Sequence, residues 1–198
     1  MKKYYFALVF TAVVLGIVPG TLAAVIEFAP AMQTVTVGDT VLVDLNISDL
    51  NDASAPSLGV FDLDVSFDPT LLSFSNVVYG DADLGDQLDF SGLGAYYETS
   101  ADAGAVNLYG LSFDAPDSLD TQQATEFTLA RLTFESLQIG TSVLGVSIVD
   151  LGDADGNPLD ATTVNGAVSV VPEPASLLLL ASGLISLVGM RRRKYIGR

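Results

Sequence analysis

From Thr40 to Ser48 the chain reads TVLVDLNIS, and every second residue (Val41, Val43, Leu45, Ile47) is apolar. Thr40, Asp44, Asn46 and Ser48 take the alternate positions, with Leu42 the one exception. The pattern returns in GVFDLDVSFDP, where Phe61, Leu63, Val65 and Phe67 alternate with Asp62, Asp64 and Ser66. A period of two with one apolar face describes a strand whose sheet has one buried side. Asp68-Pro69 then ends that strand, because proline lacks the donor a ladder needs.

Further strands are expected near 33–37, 71–79, 95–99, 105–113, 127–135, 142–149 and 162–170. In FTLARLTFE the apolar phase slips between Leu129 and Ala130, which a β-bulge or a strand buried on both faces would explain. The connectors, such as GDADLGDQLDFSGLG and DAPDSLDTQQAT, are rich in Asp, Gly, Ser and Pro. No segment between 25 and 170 shows a helical period, and no internal repeat is evident. Short strands separated by turn signals imply an all-β sandwich or barrel.

The two ends are different in kind. Residues 1–24 place Lys2 and Lys3 before an apolar stretch, a Pro19-Gly20 break, and small residues at Thr21 and Ala23. This is the pattern of a signal peptide cut by signal peptidase after Ala23 or Ala24. At the other end, Pro172 and Pro174 precede sixteen uncharged residues, 175–190, and then Arg191, Arg192, Arg193 and Lys194. A comfortable membrane helix needs about twenty residues, so this run is marginal as a permanent anchor. The basic cluster stops translocation and leaves the preceding body outside the inner membrane. The prolines keep the peptide before the membrane extended.

The full chain has a net charge of −16, but residues 25–171 hold 23 of the 24 acids and one base, Arg131, for a net −22. Such a body repels nucleic acid and anionic lipid. A lone arginine among acids is expected in a surface ion pair. The chain has no cysteine, so no disulfide holds it and stability rests on an apolar core.

Two resemblances refine this outline. VFDLDVSFDPTLLSFSNV, together with LARLTFESLQIGTSVLGVSIVDLGDADGNPL and VNGAVSV, resembles the opening and closing strands of cohesin-like domains. The resemblance implies a jelly-roll β-sandwich of about nine strands over 25–170 that works by binding a dockerin-like protein or a polysaccharide. VPEPASLLLLASGLISLVGMRRRK closely resembles the PEP-CTERM sorting signal of Gram-negative bacteria, over 171–198. Val171, Pro172, Glu173, Pro174 and Ala175 match its opening, and Arg191, Arg192, Arg193 and Lys194 its basic end. That resemblance implies processing by exosortase, transient anchoring in the inner membrane, and delivery to the cell surface or a biofilm's extracellular matrix.

Catalytic chemistry finds few carriers. Residues 25–171 contain no His, Cys, Lys or Trp, which excludes Ser-His-Asp and Cys-His machinery, thiolate or imidazole zinc sites and Schiff-base lysines. Only carboxylate chemistry of the glycosidase kind is left. Tyr79, Tyr96, Tyr97 and Tyr109 are the candidates for stacking on sugars. No cofactor is expected. The one cation to weigh is calcium at Asp153, Asp155 and Asn157 around Gly156, where oxygen ligands alternate beside a glycine turn. Leu151 and Thr162 would then fall at two strong-ligand positions of an EF-hand register, so a solvated hairpin turn is the favoured reading. Asp81, Asp83, Asp86 and Asp89 admit the same pair of readings. Asp62 and Asp64 are expected on the wet face of their strand.

Overall fold

The alternating segments build two packed sheets. A computed structural model of the chain describes residues 23–51 and 55–173, together with Leu179, Ser182 and Ile185. Most of the expected signal peptide, and Pro174, Ala175, Arg191, Arg192, Arg193 and Lys194, lie outside the described residues. The strands are β1 (Ala24–Ala29), β2 (Met32–Thr36), β3 (Thr40–Ser48), β4 (Leu58–Ser66), β5 (Leu72–Tyr79), β6 (Tyr96–Asp102), β7 (Ala105–Leu111), β8 (Phe127–Ser136), β9 (Gly140–Asp153), β10 (Ala161–Val164) and β11 (Gly166–Val171). One sheet has the order β10-β1-β3-β8-β5 and the other β2-β11-β9-β4-β7-β6. Among the described residues no helix is long and apolar enough to cross a membrane.

The core is the sum of the inward faces. Val41, Val43, Leu45 and Ile47 of β3 meet Phe61, Leu63 and Val65 of β4, all buried. Phe134 of β8 sits among them with Phe67 and Phe74 edge-on to its ring, at centroid distances of 5.1 and 5.8 Å. Leu42, the exception in its strand's pattern, is half exposed on the outer face.

The phase slip in FTLARLTFE is a β-bulge. Leu45 pairs with Ala130 and the next residue, Asn46, with Thr128, so Leu129 is the extra residue. Leu129 and Ala130 are both buried as a result.

Eleven strands replace the expected nine for two reasons. The segment expected at 162–170 is broken at Asn165: β10 pairs with β1 in one sheet and β11 with β9 and β2 in the other. β1, which the sequence reading left unassigned, is the second. Its AVIEFA alternates, with Ala24, Ile26 and Phe28 buried, but it adjoins the expected signal peptide, whose apolar run hides the alternation. The expectation of no helix also fails. α1 (Pro116–Gln122) is a two-turn helix that buries a single residue, Leu119, so it has no apolar period to read. Proline at its start supplies the fixed φ that a first turn favours. Gln123, just past its end, is buried and does the work of a strand neighbour. Its side chain accepts from the Leu58 N–H at 2.6 Å and donates to the Leu58 and Gln87 carbonyls at 3.0 Å each.

Gly110 of β7 leaves the room that Phe61 fills. A Cβ there would collide with the Phe61 ring and lie 3.0 Å from that of Tyr97. Both rings are held from behind, so the collision cannot relax freely. Gly110→Ala is expected to cost about 1–3 kcal/mol through overpacking, read as a lower urea midpoint with an unchanged slope.

Candidate functional site

The outer face of β9, β4, β7 and β6 is open to solvent, and register decides what it displays. Asp62 stands opposite Tyr109 and Asp150, Asp64 opposite Asn107 and Ser147, and Glu98 opposite Tyr109. Asp62 and Asp64 are two residues apart on one face, as the alternation required, and like charges so placed repel. Asn107 relieves this, donating from its one amide nitrogen to Asp62 Oδ1 at 2.6 Å and Asp64 Oδ1 at 2.9 Å. Beside them the Tyr96 and Tyr109 rings meet edge to face at 6.0 Å. The Tyr96 hydroxyl donates to Glu98 Oε2 at 3.0 Å, and this bond to the carboxylate pushes the phenol's pKa up. Val149 adds an exposed apolar group.

The face carries no cation. Arg131, the only base in the body, lies on the other sheet and forms the expected surface ion pair. Its Nε and Nη2 donate to the two carboxylate oxygens of Asp44, the cross-strand neighbour, at 2.5 and 2.8 Å. What the open face offers is carboxylate acceptors, two tyrosine rings and a flat surface. That suits a partner rich in cations or donors.

Of the four tyrosines picked from the sequence, only Tyr96 and Tyr109 serve this face. Tyr79 and Tyr97 stack on each other at 4.3 Å and close the edge between the sheets. Tyr79 donates to the Glu98 carbonyl at 2.7 Å, and Tyr97 donates to Asp86 Oδ1 at 2.6 Å. Burial, and then the bond to Asp86, drives the Tyr97 phenol far up. Asn107 was not picked out by the sequence reading. Its signal was the alternation in VNLYGL, which puts Asn107 and Tyr109 on one side.

The acidic loops use their carboxylates on themselves. Asp153 Oδ1 accepts from the backbone of Asp155 at 3.0 Å and of Asn157 at 2.7 Å, and the Asn157 amide nitrogen lies 3.2 Å from Oδ2. The turn thus brings Asp153, Asp155 and Asn157 together, but with Asn157 presenting a donor to Asp153 and Asp155 exposed. Among the described residues no group of three acidic side chains is placed to hold a metal. Asp81 behaves alike: Oδ1 accepts from the N–H groups of Asp83 and Leu84, and Oδ2 from Thr128. Slight burial works to raise its pKa, but these three donors outweigh it and hold the carboxyl below the usual range. Its lowered value means that Asp81 contributes stability above the ordinary carboxylate pKa, and that the contribution is lost as pH falls through the folded-state value. Asp81→Asn turns one acceptor into a donor facing Thr128. A loss of about 1 kcal/mol is expected near neutral pH, at the low end because solvent screens this open carboxylate. That corresponds to a melting temperature lower by about 3 °C. The gap from wild type should close between about pH 5 and pH 2, as thermal melts across that range would show.

The sorting motif starts inside the sandwich. Val171 is the last residue of β11, paired with Thr36, and its carbonyl accepts from the Val37 N–H at 3.3 Å. Pro172 and Glu173 follow, exposed and outside any strand.

Comparison with known proteins agrees with this architecture. The model of the PEP-CTERM protein-sorting motif matches residues 170–194, which marks the chain for export and membrane-anchored sorting. The fold is similar to a non-cellulosomal cohesin from the hyperthermophilic archaeon Archaeoglobus fulgidus (TM-score 0.56, 15% identity, covering 78% of this chain and 95% of that one). It is similar to CaCohA2 from Clostridium acetobutylicum (TM-score 0.58, 19% identity, 77% and 93% covered). It is also similar to the sixth cohesin of scaffoldin B from Acetivibrio cellulolyticus, solved in complex with a Cel5 dockerin (TM-score 0.58, 17% identity, 75% and 99% covered). No curated protein matches the chain. The cohesin domain model matches residues 26–170, nearly the whole of the two-sheet sandwich, and the chain belongs to the cohesin domain family.

Proposed function

We propose that this is an exported, non-catalytic binding module, sorted by exosortase to the surface or extracellular matrix of a Gram-negative cell. On this reading the outer face of β9, β4, β7 and β6 holds a dockerin-like protein partner. The observation that carries it is that face: an uncovered, acidic, tyrosine-bearing sheet surface on a cohesin sandwich. The solved complex of the scaffoldin B cohesin with a dockerin supports the class of partner. A polysaccharide is the weaker reading, because sugar stacking favours a ring laid flat and Tyr96 and Tyr109 stand at 66° to each other. Calcium has no assigned part, since the Asp153 carboxylate is already met by donors of its own turn.

Binding is tested with the mature protein against dockerin modules and a glycan panel. Asp64→Lys reverses a charge at the centre of the face and Tyr109→Ala removes the aromatic contact. Each is expected to weaken the dockerin-type complex at least about tenfold, which is about 1.4 kcal/mol. The Asp64→Lys effect should shrink as salt screens the charge. Unchanged affinity in both variants would move the interface elsewhere. Tight binding to a glycan alone would favour the polysaccharide.

Processing is tested by the intact mass of the protein recovered from an exosortase-bearing host. The N-terminus is expected at Ala24, because that residue is buried in β1 and its N–H bonds to the Asp160 carbonyl at 3.0 Å. Cleavage after Ala24 would delete a rung of the sheet. The basic end from Arg191 onward is expected to be missing. With Pro172 and Pro174 both replaced by Ala, the uncleaved form should accumulate in the inner membrane, since alanine favours helix where proline costs about 3 kcal/mol. A full-length, membrane-bound wild-type protein would refute the sorting role.

A further inference from the structure

The strands run from one end of the sandwich to the other, and the two ends differ. β11 leaves at the end formed by the loops 37–39, 67–71, 103–104 and 137–139. Hydrogen bonds tie these loops to one another and to the exit point: Val37 N to Val171 O, Gly38 N to Ser136 O, and Leu137 N to Leu71 O. The tips of this end are apolar. Val37, Leu137 and Ile139 are 37%, 42% and 60% exposed. Beside them a groove of 360 Å³ opens to solvent, lined mainly by apolar residues such as Phe67, Leu72, Phe74 and Leu137, with Asp102 as its one charged group.

Charge is distributed the other way. The connections at the far end, 49–57, 80–95, 112–126 and 154–160, hold eleven described acids. The loops of the exit end hold Asp39 and Asp68, and Asp102, Glu135 and Glu173 lie at or just beyond strand ends. Asp39 and Asp68 are exposed, and each is held by its own loop, accepting from a backbone N–H and a threonine hydroxyl.

Only three residues separate Val171 from the uncharged run that begins at Ala175. Four Cα-to-Cα steps reach at most about 14 Å. The headgroup layer on each side of a bilayer's hydrocarbon core is about 5–8 Å thick. With the run in the bilayer, even a fully extended link holds the exit end of the domain within about 6–9 Å of the headgroup surface.

We infer that in the anchored precursor the exit end of the sandwich rests on the bilayer surface, with Leu137, Ile139 and Val37 seated among the headgroups and the acidic loops pointing away. The occupant of this apolar end is a lipid surface. This rests on the reading of 175–190 as a membrane span. It goes beyond that reading by giving the domain one orientation, in which the peptide at 172–174 is held at the membrane surface between domain and run.

The absence of cysteine makes the test direct. The full chain is produced as four single-cysteine variants, Leu137→Cys, Ile139→Cys, Asp155→Cys and Ser182→Cys. Each is labelled with a small fluorophore and reconstituted in vesicles of phosphatidylethanolamine and phosphatidylglycerol that carry nitroxide-labelled lipid. Several-fold quenching is expected at 137, 139 and 182, with none at 155. Quenching at 182 without quenching at 137 and 139 would overturn the docking and leave the membrane span standing. No quenching at 182 would overturn the span, and the docking with it. Equal quenching at 139 and 155 would mean that the domain has no preferred orientation, which also overturns the proposal.

Discussion

The two ends of the domain hold each other. β1 runs parallel to β10, and β2 runs parallel to β11. The residues that follow the expected export signal therefore pair with those that lead into the sorting motif. Parallel pairing between segments about 135 positions apart carries a large loop-closure cost. The packing of the strands between them offsets that cost, and the clasp needs both ends of the domain. β1 and β2 then cross from one sheet to the other on one edge of the sandwich, and β10 and β11 do the same beside them. The crossing leaves the short β10 and β2 as the edges of the two sheets there, and a short edge strand offers few unpaired donors and acceptors for a neighbour to join.

A body with a net charge of −22 and no disulfide would be expected to strain against its own repulsion. The acids are instead fixed by the backbone. Asp39, Asp68, Asp81, Asp86, Asp114 and Asp153 each accept at least one main-chain N–H in a loop. A loop N–H that would otherwise face water gains a charged acceptor, and the carboxylate keeps its charge near a fixed partial positive. These bonds add to what lies buried in the far-end connectors, which includes Leu50, Leu88, Leu119 and two glutamines, Gln87 and Gln123. The acidity of the sequence is thus partly structural, and a loop rich in aspartate here is a set of turns before it is a cation trap.

How much of this was legible in advance depended on the kind of interaction. β3 and β4 were readable because each buries one face against the opposite sheet, and burial writes a period of two. The bulge at Leu129 was readable as a slip in the same period. α1 was not, because one leucine carries no period. The division of 161–171 into two strands was not, because Asn165 changes the partner sheet without changing the local alternation. The open face was half legible. Asp62 and Asp64 were visible as the polar side of a strand, but Asn107 entered only through the β4–β7 register, which no local pattern encodes. The tyrosines show the same divide. Composition named four, and tertiary packing took Tyr79 and Tyr97 for the edge.

On the proposed reading, the arrangement of strands also separates two tasks. The acidic, tyrosine-bearing face lies along the strands, so it looks sideways from the long axis of the sandwich. The exit of β11 lies at one end of that axis. A partner on the face and a membrane or peptidase at the end therefore do not compete for surface. The link between them is short and stiff. Val171 is still hydrogen-bonded in β11, so the first residue free of the sheet is Pro172, which has no N–H to give and a nearly fixed φ. A peptidase that works on this segment meets an extended peptide whose upstream neighbour is part of a packed domain. On that reading, cleavage there would remove the run and the basic cluster and leave the clasp between β2 and β11 intact to its last rung.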